Sequence, residues 1–531
     1  MANGQRAEQL EEREAIERGG KAAKIASSVL AAKSLTFIAA GVAFILVARI
    51  LGPGDFGIYT LAIATAGFFG AFGDFGFSLS AVKFVSEYME KRDIAKVKST
   101  ITNTYAAAAL EGIVFTAIAF AASQYVAQAL FHNAAYSIVL EVAAFTILAS
   151  ILWNISYSML VGLGRGKYIT LAVAAQSLMQ ALVSVALAVA GFGALAPIIG
   201  LEAGFFFGFL FAVVMEAKVL GVATKHMANV LSVKEMKRLF NFSLPLGISN
   251  FVTGLTGNFS TVFLGIYATS FVLGNFGVTS RVANLFDVIV GSIGFALLSL
   301  FSATLANKKS NKNVGKYYNY SIYFSLLFTA PVALYIIILS LPFSYTAFGG
   351  TYSLAPIYMA IMSVGVLLTI FSSYTTNLLV GAGKVKTYLK FNILIAIAQL
   401  VSLFLLIPSY NGLGLVVILF LIVPMITNLL FMSKAQSLFK MKIEYGRFAR
   451  VLVSSIVSSL FIIPLIYIFG GYTIPLLIAA AIEQLILYPL VISRLGAIDR
   501  KNTALMEKIT ERIPVVGRVM RLLIAYTNIF L

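Results

Sequence analysis

Residues 305–341 read LANKKSNKNVGKYYNYSIYFSLLFTAPVALYIIILSL. The stretch 318–341 holds no Asp, Glu, Lys or Arg, while Lys308, Lys309, Lys312 and Lys316 crowd the residues before it. As a helix rising about 1.5 Å per residue, 318–341 is long enough to cross a hydrocarbon layer of about 30 Å. A cation-rich loop that leads into an uncharged span is the signature of a chain threaded through a bilayer, with that loop facing anionic lipid.

Working outward, the same unit recurs. The spacing of apolar runs predicts spans at 27–50, 57–82, 102–124, 135–160, 168–190, 195–217 and 243–267. It continues with 274–300, 318–341, 353–379, 388–407, 414–434, 449–469 and 474–493. Hydrophobic residues make up 60% of the chain and charged residues only 11%, where a soluble domain carries about a quarter. The expected fold is therefore all-α integral membrane, with about 14 transmembrane helices.

The loops alternate in chemistry. On one side, 86–99, 162–167, 218–240, 305–316, 380–387 and 435–448 all carry Lys or Arg. On the other, 52–56, 125–134, 191–194, 268–273, 342–352, 408–413 and 470–473 carry neither. The positive-inside rule then puts both termini in the cytoplasm of a cell that holds this protein in its plasma membrane. The net charge of +18 is spread over these loops and forms no single patch, which argues against nucleic acid as a partner. The chain has no Cys and two His, His132 and His226, so disulfides and thiolate sites are excluded, and no metal or cofactor is expected. Residues 1–24 are charged and mixed in sign, unlike a signal peptide.

Three short matches align the two halves, two at an offset of 220 residues and one at 219. Asp55-Phe56-Gly57 matches Asn275-Phe276-Gly277, and Asp93-Ile94-Ala95-Lys96 matches Asn313-Val314-Gly315-Lys316. The third match sets Val161-Gly162-Leu163-Gly164-Arg165-Gly166-Lys167 against Val380-Gly381-Ala382-Gly383-Lys384-Val385-Lys386. This predicts two pseudo-symmetric six-helix bundles in the same orientation, related by an axis along the membrane normal, and a cavity that opens to alternate sides. The expected divisions are a cytoplasmic segment 1–26, a first bundle 27–219, a linker 220–240 and a second bundle 241–436. Two extra helices occupy 437–494 and a cytoplasmic tail 495–531. Within the tail, 504–524 reads either as an amphipathic helix on the membrane face or as a partly ordered segment.

Arg49-Ile50-Leu51-Gly52-Pro53-Gly54-Asp55-Phe56-Gly57-Ile58-Tyr59 resembles the first-loop motif of the polysaccharide-type (Wzx-like) flippases. Phe242-Ser243-Leu244-Pro245 is similar to the opening of that family's second half, as is Phe348-Gly349-Gly350 followed by Tyr352 and Ala355. The family belongs to the multidrug/oligosaccharidyl-lipid/polysaccharide exporter superfamily. The resemblance implies translocation of a polyprenyl-phosphate or polyprenyl-pyrophosphate-linked oligosaccharide to the outer leaflet. It also implies membrane lipid, glycosyltransferases and a polymerase or oligosaccharyltransferase as pathway partners.

Ionisable residues inside spans are costly, at about 2.5–3.5 kcal/mol each on insertion scales, and are functional candidates by default. Arg281 is the first candidate for the phosphate, since Ser280-Arg281-Val282 onward resembles a span of lipid II flippases that carries a cavity arginine. Its guanidinium fork suits a phosphate; a structural ion pair would also account for it. Lys33 either meets the phosphate or snorkels to the surface. Arg49 fits the family motif, and anchoring at the interface explains it as well. Asp74, Glu111, Glu141, Glu202 and Asp287 are candidates for a coupling proton or Na⁺, or for charge neutralisation within the bundle. Asp287, six residues after Arg281, lies about 120° round the helix from it and is not its on-helix partner. Amides such as Gln176 and Gln180 could bind sugar hydroxyls or join helices.

Two other readings compete. A cation-coupled multidrug antiporter of the same superfamily would need an acidic cavity, against the basic Arg281. A membrane glycosyltransferase or polymerase would need acidic site chemistry, and Asp55 is the only acidic residue in the uncharged-side loops. The chain is therefore read as a transporter and not an enzyme.

Overall fold

The structure, a computed structural model, describes residues 40–71, 76–221, 232–284, 286, 311–382, 384–510 and 516–530. Lipid offers a peptide group no hydrogen-bond partner, so each span must satisfy its own backbone as a helix. The first seven helices are α1 (Ala40–Gly70), α2 (Phe77–Glu90), α3 (Ile94–Ala129), α4 (Tyr136–Gly162), α5 (Gly166–Val189), α6 (Leu195–Leu220) and α7 (Val233–Tyr267). They are followed by α8 (270–284), α9 (Asn311–Phe348), α10 (Ala355–Gly381), α11 (Val385–Val417), a π-type turn at Ile418–Ile422 and α12 (Val423–Phe439). The chain ends with α13 (Tyr445–Leu460), α14 (Ile462–Phe469), α15 (Ile474–Arg494), α16 (Arg500–Thr510) and α17 (Val516–Ile529).

Among the described residues, ten helical runs are long and apolar enough to cross a bilayer. Two of these runs each hold two spans. Ala40–Gly70 is interrupted at Gly52, where φ is 68°, and Lys386–Phe439 at Asn411, where φ is 47° and ψ −127°. Positive φ is open to Gly and, less readily, to Asn. Both breaks fall in expected outer loops, 52–56 and 408–413. With α7 and α8, the described helices agree with the expected fold of about fourteen spans. A different break has a proline cause. Pro342 removes the hydrogen bond to the carbonyl of Ile338, and the helix departs from α geometry at Leu339.

The expected loop 86–99 is shorter than its sequence implied. Helix α2 starts behind Gly76, with φ 81°, and runs to Glu90, and α3 begins at Ile94. Charged side chains at these ends are solvated, so the helices continue past the hydrocarbon boundary. Asp93 caps α3 by accepting the Lys96 backbone N–H at 3.1 Å, and pairs with Lys96 Nζ at 2.9 Å. The Lys96 side chain, and then its backbone N–H, hold the Asp93 carboxyl below its ordinary value.

By contacts the chain forms two compact units. Unit 1 runs to Leu51 and from Ile58 to Ile266; unit 2 holds Gly52–Gly57 and everything from Tyr267. In unit 1, α5 and α6 meet along Gly200, Gly204 and Gly208. A Cβ at Gly200 would lie 2.0 Å from Ser184 Oγ, and one at Gly204 2.9 Å from the Gln176 carbonyl. At Gly208 it would meet the ring of Trp153 at 2.8 Å. This small-residue stripe lets two backbones approach as they do where lipid-embedded helices associate through van der Waals contact.

In unit 2 the first-loop motif crosses α8 just as closely. A Cβ on Gly57 would lie 1.8 Å from the Ser270 carbonyl oxygen, and one on Gly274 1.9 Å from that of Pro53. The buried Asn275 accepts the backbone N–H groups of Leu354 and Ala355 at 3.0 and 2.8 Å, capping α10. Tyrosines then tie the extra helices to α9. Tyr335 donates to Leu477 O at 2.8 Å, Tyr488 to Leu327 O at 2.9 Å and Tyr323 to Ala497 O at 2.8 Å. The tail joins this unit, with α17 packing on α15 and burying Ile524.

Gly204→Ile should destabilise unit 1 by about 1–3 kcal/mol or more, since the added carbons meet backbone and cannot be rotated away. Thermal unfolding followed by circular dichroism would show it as a lowered midpoint; an unchanged midpoint would refute the close-packed stripe.

Candidate functional site

Lys33, Asp74 and Asp287 lie outside the described residues. Arg49 is an exposed residue of α1, one turn before the break at Gly52. Arg281 is exposed on α8 together with Asn284, while Val282, Ala283 and Phe286 are buried. Its guanidinium therefore lies outside the packed core of unit 2.

The acidic candidates of unit 1 sit on different helices. Glu111 on α3, Glu141 on α4 and Glu202 on α6 are each half-buried. One carboxyl oxygen of Glu202, Oε1, is enclosed and has no hydrogen-bond partner among the described residues. A buried acceptor left in this state costs about 1–3 kcal/mol, more if charged, which is why such groups tend to be functional. Gln176 and Gln180 are turned to structural use. Gln176 donates to Gln180 at 3.0 Å and accepts from Ser177 at 3.0 Å, under the α6 glycines. Among the described residues, no group of three acidic or histidine side chains is placed to hold a metal ion.

One functional candidate escaped the sequence reading. Glu216 on α6 is only 4% exposed. Tyr105 of α3 lies 2.9 and 3.1 Å from its two oxygens and 2.7 Å from Ser156 Oγ of α4. Ser156 in turn donates to Leu152 O at 2.8 Å. Three helices thus converge on one carboxyl group. Glu216 sits at the very end of the expected span 195–217, where a charge reads as interfacial. The available signal was its spacing from Glu202, 14 residues away and so within about 40° on the same helix face.

Unit 2 encloses a second feature, a cavity of about 490 Å³ between α9, α15, α16 and α17. Phe328, Val332, Leu485, Met506 and Leu523 line it, with Gln484 among the few polar groups. Its wall suits hydrocarbon and offers little to a polar ligand.

A bundle of about fourteen spans with sparse buried charges defines a polytopic α-helical membrane protein. The fold is shared with the lipid II flippase MurJ in an inward closed conformation. That match has a TM-score of 0.70 and 15% identity, and covers 88% of this chain and 98% of the other. It is also shared with an inward-facing multidrug resistance MATE family transporter of the MOP superfamily, at a TM-score of 0.63 and 15% identity, over 79% and 99% of the two chains. The MatE sequence pattern matches residues 245–405. The pattern of the polysaccharide biosynthesis protein family matches residues 22–305, and the chain belongs to that family. A comparison with curated proteins by sequence gives no match.

Tyr105→Phe should strip Glu216 of its hydrogen-bond donor and lower stability by about 1–3 kcal/mol. Ser156→Ala should cost less, since Tyr105 still reaches the carboxyl group. Melting of the two variants by circular dichroism checks the order; equal losses would refute the central place of Tyr105.

Proposed function

We propose that this protein is a flippase. It carries a polyprenyl-phosphate or polyprenyl-pyrophosphate-linked oligosaccharide from the cytoplasmic to the outer leaflet by alternating access. Both termini face the cytoplasm, and the glycan then feeds a polysaccharide or glycan pathway. The observation that carries the reading is family membership over residues 22–305. Two structural features support it. The apolar cavity of unit 2 suits isoprenoid carbon, and Arg281 offers a cation outside the packed core for a phosphate. Of the described coupling candidates Glu111, Glu141 and Glu202, Glu202 has an enclosed oxygen without a hydrogen-bond partner among the described residues, which suits it to bind the driving proton or Na⁺.

The MatE match over 245–405 supports a second reading, a cation-coupled multidrug antiporter. That reading requires a cavity that attracts cations, and Arg281 opposes it.

Proteoliposomes loaded in one leaflet with a short-chain polyprenyl-pyrophosphate oligosaccharide test the choice. Wild type should move the lipid across, and Arg281→Ala should slow it by about tenfold or more, the worth of one charge-assisted hydrogen bond. Efflux of an organic cation without any lipid movement would replace the flippase with the antiporter.

A further inference from the structure

Two stretches far apart in sequence present matching faces at the cation-rich side of unit 1. Helix α2 offers Lys83, Phe84, Glu87 and Tyr88; α7 offers Lys237, Arg238, Asn241 and Phe242. In each helix these are positions i, i+1, i+4 and i+5, which share one face. A cleft of about 550 Å³ opens between them, lined by Lys83, Phe84, Lys237, Arg238, Asn241 and Phe242.

Aromatic rings form its floor and hold its cations. Phe84 and Phe242 meet edge to face with centroids 5.3 Å apart. Lys83 Nζ lies 3.8 Å from the Phe242 centroid and 4.8 Å from that of Phe84. Arg238 Cζ lies 4.8 Å from the Phe84 centroid, and its Nη1 donates to the Tyr88 hydroxyl. Both cations therefore rest on one ring, at positions fixed before any ligand arrives. One turn deeper, Ser80 and Ser243 hydrogen-bond across the two helices at 2.5 Å and set their spacing.

The acids nearby are otherwise engaged. Glu87 accepts from Lys91 at 2.5 Å. Its carboxyl is held below the ordinary value, first by that hydrogen bond and also by the charges of Lys83 and Arg238. Glu235 stands 4.0 Å from Arg238. Neither Lys83 nor Lys237 forms an ion pair among the described residues, so their ammonium groups keep donors for an anion.

The geometry points to a docking site for the phosphate or pyrophosphate headgroup of a membrane lipid in this cleft, with Lys83 and Lys237 as its principal donors. The lipid source follows from depth. Helix α7 has 35 residues and so extends about 52 Å, well beyond a hydrocarbon core of about 30 Å. Lys237 and Arg238 precede the expected span 243–267, which places them at headgroup level, where aromatic rings also settle. The inference rests on the flippase reading only for what the lipid carries, not for its phosphate.

The test uses the full chain in phosphatidylcholine nanodiscs and measures binding of farnesyl pyrophosphate and, separately, of inorganic pyrophosphate. Farnesyl pyrophosphate should bind wild type more tightly than inorganic pyrophosphate does. Lys83→Gln and Lys237→Gln should each weaken it by about fivefold, the scale of a partly exposed charge contact, and added salt should do the same. Lys237→Arg should retain binding. Unaltered binding in the folded Lys83→Gln/Lys237→Gln double variant would overturn the site. Equal affinity for the two ligands would overturn its assignment to a lipid. Transport is not read in this assay, so a failure of lipid flipping would strike the function proposed above and leave the cleft standing.

Discussion

A peptide N–H in hydrocarbon has no water to turn to, and most of this molecule follows from that fact. The described spans are helices because only a helix closes its own hydrogen bonds. Departures from helical geometry are rationed accordingly. Gly52 and Asn411 turn the chain within 52–56 and 408–413, which the sequence leads one to expect as loops outside the bilayer. The proline-induced departure at Leu339 falls at a residue whose side chain is fully buried by protein.

The same shortage of partners explains how polar side chains are used. Within spans, hydroxyls donate to backbone carbonyls already present in the packed helices, as Tyr335, Tyr488 and Tyr323 do where α9 meets the C-terminal helices. In unit 2 the large buried side chains include Tyr318, Tyr323, Tyr352 and Tyr374. A ring with one hydroxyl can fill apolar volume and still satisfy its single polar atom, which makes it a joint between helices as well as an anchor.

What the sequence disclosed and what it withheld divide along a physical line. Spans are one-dimensional objects, and their number, their loops and the breaks at 52–56 and 408–413 could be read from local hydropathy and charge. Asn275 was visible as half of a repeated motif, though its work as the cap of α10 was not. Features made by two or more distant helices stayed hidden. The Tyr105–Ser156–Glu216 group needs three helices, and the α2–α7 cleft joins residues more than a hundred and fifty positions apart. Gly200, Gly204 and Gly208 do carry a local signal, four-residue spacing, but it speaks only once α5 is known to be the partner. The segment 504–524 is open to reading as an amphipathic helix or as partly ordered; its described residues are helical, and α17 packs against α15.

Trp153, the chain's only tryptophan, packs its ring edge against Gly208 in the seam of α4 and α6. Its intrinsic fluorescence is thus a local optical gauge of unit 1. If the two units melt separately, emission will record one transition while far-ultraviolet ellipticity records both, and the gap between the two curves will measure how independently unit 2 holds together.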